Sequence, residues 1–130
     1  MKKTRSEFLV NLRPNLPLVM QENSSEIEVF MHIKLRPILK FQNDWILMLI
    51  PSAQHFKHLK FDNFDEAQNR KTISNFLMKN KNIRNQLLGG VSAMLTKDEF
   101  KTYLKYQNEF NKRIMEMIVS RFISNYVVNL

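Results

Sequence analysis

Three groups of side chains in this sequence have types and spacings suited to chemistry. His55 and His58 lie three apart with Asp62 four further on, so a helix would set two imidazoles and a carboxylate on one face, as a metal requires. A closed site needs a fourth ligand, and none follows, so the pair reads as surface histidines and the sequence implies no metal. Gln42, Asn43 and Asp44 interrupt the most apolar segment of the chain. Pointing inward, they would need partners, with Arg36, Arg84 and Arg121 as the cations able to form a buried polar network with them. Such networks are more often architectural than catalytic, yet this one is the first candidate for a hidden site. The third group is basic. Lys97, Lys101 and Lys105 recur every four residues with Lys112 continuing the line, and Lys79, Lys81 and Arg84 surround a turn. One helix face carrying four Lys would neutralise phosphates, and Arg84, Asn85 and Gln86 are types that read base edges; most Lys stripes are nonetheless solvated faces.

Other chemistries find no support. His32 stands alone, and no Ser–His–Asp order, nucleophile elbow, phosphate loop or dinucleotide fingerprint occurs. The chain has no Cys, which removes thiol nucleophiles, thiolate metal sites and disulfides. Its only glycines, Gly89 and Gly90, are adjacent and lie inside a helical pattern, where each costs about 1 kcal/mol against Ala. A close packing contact is the expected reason, and a ligand touching the backbone is the sharper one. No cofactor is implied.

The elements that would position these groups follow from patterning. The chain has 130 residues, 44% of them apolar and 25% charged, the balance of one globular domain. Twenty Lys and Arg against twelve Asp and Glu give a net charge of +8, which favours an anionic partner such as nucleic acid or an acidic protein. Phe8-Leu9-Val10 follows basic residues but is too short for a signal sequence, and no run is long enough to span a membrane, so a soluble cytoplasmic protein is expected, with no membrane partner.

Residues 1–23 read as an extended arm, because Pro14 and Pro17 disfavour helix, and residues 24–130 as a helical domain. Residues 27–35 alternate like a strand, but Ser25 and Glu28 have capping-box spacing and Ile27, Phe30, Met31 and Leu35 form a helical face, so helix is preferred. Trp45 to Ile50 is apolar throughout and is expected to be the fully surrounded central segment. Asn63 and Glu66 suggest the next helix start. Beyond it, Phe64, Ala67, Ile73, Phe76 and Leu77 share a face, and a further helix covers 83–95. Thr96 with Glu99 is a clear capping box. After it Phe100, Tyr103, Leu104, Phe110, Ile114, Met117 and Ile118 hold one face, with a break near Asn108. From Ile118 on the chain is apolar nearly all round, so this helix is either central or an oligomer surface.

The segments LRPILKFQND (35–44), the KN-x-x-N-x-L-x-G block at 81–89 and FNKRIMEMIVSRF (110–122) resemble a family of small bacterial helical proteins with no established activity. Some similar sequences carry a glyoxalase label, but that class needs His and Glu metal ligands on paired β-modules, and no positions here match. The resemblance implies helix over 24–60 and no functional residues. The expectation is thus an all-α single domain of about five helices with an extended N-terminal arm. Its expected role is a non-enzymatic protein-interaction module, with a protein partner or homodimer through the C-terminal helix. The alternatives are a nucleic-acid-binding accessory protein using the basic faces, or an enzyme around Gln42, Asn43 and Asp44.

Overall fold

Thr4, Ser25, Asp65 and Thr96 each accept the backbone N–H three residues ahead, and a helix starts after each one. In the computed structural model, which describes residues 3–17, 25–62 and 64–126, every regular element is helical. In order these are α1 (Arg5–Asn11), α2 (Glu26–Phe30), a π-helical turn (Met31–Leu35), α3 (Arg36–Phe41) and α4 (Asn43–Leu49). Two 3₁₀ turns (Ile50–Ser52 and Phe56–His58) follow, then α5 (Glu66–Lys79), α6 (Lys81–Ser92), α7 (Lys97–Lys105) and α8 (Gln107–Asn125). The strand alternative for 27–35 is excluded, because those residues are helical.

Since α2, the π turn and α3 run on without a cap, the described residues form seven rods rather than about five. Two of the breaks are single residues, the second of them close to the break expected near Asn108. Gln42, with φ −87° and ψ 7°, divides α3 from α4, and Tyr106, with φ −126° and ψ 38°, divides α7 from α8. Neither is Gly or Pro, so neither break is marked by the residues that usually end helices. The arm is also corrected: residues 5–11 are helical, because Thr4 caps them, Glu7 sits in the first turn and no Pro falls among them. Residues 14–17, bounded by Pro14 and Pro17, lack regular structure. Asp65, not Asn63, caps α5; Asn63 lies outside the described residues, and Phe64 before the cap is 98% exposed.

The π turn has a local cause. Pro37 has no N–H, and its ring would press on the carbonyl of Ile33 in a regular helix. Widening the preceding turn relieves this, and Arg36 N–H accordingly donates to Met31 O, five residues back.

The helix that everything packs around is α8, which touches α4, α5, α6 and α7. Phe110, Ile114, Ile118 and Phe122 on it are fully buried. Phe56 wedges the 51–62 segment against it, its ring 5.9 Å from Phe122 and 5.8 Å from both Phe76 and Tyr126. Phe30 holds α2 to α8 through Phe110, at 4.7 Å. The expected centre at 45–50 is only half right. Ile46 and Ile50 are buried, but Met48 is 75% exposed, because α4 packs along one side only. Of the apolar stretch from Ile118 that suggested an interface between copies, Ile118, Val119, Phe122 and Ile123 are buried within the chain, and residues 127–130 lie outside the described residues. No helix among the described residues is long and apolar enough to cross a membrane.

Candidate functional site

The corner between α6 and α7 brings Arg13, Lys34 and Glu99 together. The capping box found here is the expected one: Glu99 N–H donates to Thr96 Oγ1, and Thr96 N–H donates to Glu99 Oε1 at 2.8 Å. The same carboxylate also receives both guanidinium ends of Arg13, at 2.6 Å and 2.8 Å, and Lys34 Nζ lies 3.3 Å away. Burial by itself pushes the Glu99 carboxyl up, but the Arg13 hydrogen bonds, the Thr96 N–H and the charges of Arg13 and Lys34 outweigh it and hold the group at about 2. Lys34 reaches this point from the π turn. Arg13 Nη2 also donates to Met94 O at 3.1 Å, and Arg5 donates to Ala93 O at 2.6 Å and Leu95 O at 3.3 Å. These carbonyls follow directly on the C-terminus of α6, the end of a helix where cations are favoured. The arm is therefore fastened to the body by arginines, while α1 buries no residue and Phe8 stands 57% exposed.

Beside this clamp runs a groove of about 870 Å³ between Thr4, Arg5 and Ser6 of α1 and the first turns of α7. Its floor includes Ala93, Leu95 and Phe100, and Lys97 and Lys101 border it. Phe100 is 37% exposed and Leu104, one turn on, 50% exposed. Both were expected in the core. The break at Tyr106 re-aims α8, so Tyr103 alone of the α7 apolar residues is buried, stacked on Phe110.

The basic residues do not form one surface. Lys97 and Lys101 border the groove, and Lys105 turns towards the Tyr106 ring, 5.1 Å from its centre. Lys112, expected on the same line, belongs to another helix and lines a second cavity with Arg84. Lys79 and Lys81 border a third depression with Gln54, Asn80, Asn82 and Gln86. A helix of nine residues ending at Lys105 cannot carry the stripe further, which corrects the four-Lys face.

The expected network around 42–44 separates into parts. Gln42 Nε2 donates to Gly90 O at 3.1 Å, and Arg121 Nη1 to Asn43 Oδ1 at 3.4 Å. Arg36 reaches Pro17 O at 3.5 Å, and Asp44 is exposed and takes no part, so the buried network does not form as expected. Arg121 is held below its ordinary value by burial and then by the nearby Arg36 charge. Gly90 has a packing reason for its size, discussed below, and the ligand alternative is not needed. The His55 and His58 rings lie 5.8 Å apart, and among the described residues no group of three His, Asp or Glu side chains is placed to hold a metal.

Arg5, Arg13 and Glu99 were missed by the sequence reading, because a capping-box Glu already has a local explanation and nothing in its neighbourhood points to residue 13. No family model matches the chain, and comparisons with curated proteins and with solved structures return no match.

Proposed function

We propose that the protein is a non-enzymatic interaction module whose partner is an acidic, amphipathic protein segment seated in the groove between α1 and α7. The carrying observation is the half-exposed Phe100 lining this groove with Lys97 and Lys101, with exposed Leu104 one turn beyond it. Exposed large apolar residues that line a concavity are the usual core of a protein contact, and flanking cations select the sign of what lands there. An acidic helix with apolar residues at i, i+4 and i+7 meets both demands.

A second reading has its own observation. α6 starts at Lys81 without a side-chain cap, the Asn80 amide being turned back to Phe76 O, and Lys79 and Lys81 flank that end. Free N–H groups beside two cations favour phosphate, the element of a nucleic-acid contact.

Fluorescence anisotropy separates the two. A labelled peptide with Leu at i, i+4 and i+7 and Glu elsewhere binds, its Lys counterpart does not, and Lys97→Glu with Lys101→Glu weakens binding at least about tenfold. Preference for duplex DNA, lost in Lys79→Glu/Lys81→Glu and insensitive to the α7 changes, establishes the second reading instead.

A further inference from the structure

The second cavity has a different character. It encloses about 450 Å³ between α5, the start of α6 and α8, and shares no lining residue with the α1–α7 groove. Its α8 side is one continuous stripe, Asn108, Asn111, Lys112, Met115, Glu116 and Val119, at helical spacings of three and four. The floor is apolar: Leu77 and Val119 are buried, and Met78 and Met115 flank them. Thioethers on unbranched stems adapt to the shape of a guest.

The rim is rich in donors. Arg84 and Lys112 both face the cavity, and the acids that form ion pairs among the described residues are Glu66, Glu99 and Glu109, none of them with these two cations. Lys112 and Glu116 even have the i, i+4 spacing of a helix pair without closing it. Tyr103, buried beneath, donates its hydroxyl to Asn111 Oδ1. That orients the amide oxygen towards Tyr103 and leaves the Asn111 N–H₂ as a donor. Two cations and the single carboxylate of Glu116 leave one positive charge for a guest beside an apolar floor.

We infer that this cavity binds a small monoanion with an apolar body, of the fatty or aromatic carboxylate class. The carboxylate lies between Arg84 and Lys112, whose planar and point-charge donors suit it, and the apolar body lies on Met78, Met115 and Val119. The enclosed volume is that of a small-ligand site, typically about 300–1,000 Å³.

The test uses protein labelled with ¹³C at the methionine methyls and titrated with octanoate, octanol and octyltrimethylammonium. Octanoate shifts the Met78 and Met115 methyl signals saturably while Met31 and Met48 stay in place, and octanol and the cation bind at least about tenfold more weakly. Arg84→Gln with Lys112→Gln weakens octanoate binding at least about tenfold, and Glu116→Gln strengthens it. All three positions lie at the surface, and an unchanged Met31 signal reports an intact core. Unmoved Met78 and Met115 signals, equal binding of the three probes, or an unaffected double variant would each overturn the inference.

Discussion

The outer edge of the Trp45 indole lies against the α6 backbone at Gly90, so close that a β-carbon there would sit 2.1 Å from Cη2 and 2.6 Å from Cζ3. The ring is rigid and partly buried, and Gln42, three residues before it, donates to the Gly90 carbonyl. The absent side chain is thus what lets α4 approach α6. Gly90→Ala should destabilise by about 1–3 kcal/mol through overpacking, although Ala favours helix. Gly89 has nothing within 4 Å of its would-be β-carbon, so Gly89→Ala should stabilise by up to about 1 kcal/mol. Urea unfolding followed by the fluorescence of the single Trp reads both. Equal effects at the two positions would mean that the indole does not sit on Gly90.

Glu99 makes acid stability local. Its folded-state value of about 2 lies below the ordinary 4.5, so its contribution is present above pH 4.5 and is lost as pH falls through 2. The difference corresponds to about 3 kcal/mol at most. Glu99→Gln should lower stability near neutral pH and flatten the decline between pH 4.5 and 2 relative to the parent. Parallel pH profiles for parent and variant would remove Glu99 as the origin of that decline.

Removing either end of the clamp should not be equivalent. Without Arg13, the carboxylate keeps Lys34 and the Thr96 N–H. Without Glu99, Arg13 is left nearly buried with its Nε already lacking a partner, and a stranded buried charge costs roughly 3–5 kcal/mol. Glu99→Ala should therefore lower Tm more than Arg13→Ala. Limited proteolysis should cut between α1 and α2 faster in both, because the arm loses its principal fastening. A larger loss in Arg13→Ala would point to the Met94 carbonyl, not Glu99, as the main partner.

Much of this architecture was legible in the chain because its signals are local. Thr96 and Glu99 announce a helix start through their own spacing, and Ser25 does the same for α2. The side chains at 27–35 were ambiguous by period, and the cap decided correctly for helix. The readings that failed depended on partners remote in sequence. Nothing local distinguishes Phe100 from Tyr103, because which of them faces α8 is decided by the turn at Tyr106. Lys112 continues a stripe on paper, but the same turn carries it to another cavity. Arg13 and Glu99 are separated by 86 positions, and only the tertiary fold pairs them.

Phe122 is the residue that tests whether α8 serves as core or also as a surface between copies. Its side chain is fully buried inside one chain, 4.6 Å from Tyr126, 5.9 Å from Phe56 and 6.1 Å from Phe61. Phe122→Ala should cost about 3–5 kcal/mol, lost transfer energy plus a cavity that three surrounding rings close only in part. Met48→Ser, on the exposed side of α4, should change stability by no more than about 0.5 kcal/mol. Because the α8 contacts are internal, the Tm of the parent should not depend on protein concentration, whereas an interface along α8 would raise it with concentration by mass action. Differential scanning calorimetry across a hundredfold dilution series makes the distinction. A Tm that climbs with concentration and loses that dependence in Phe122→Ala would place α8 between two copies of the chain.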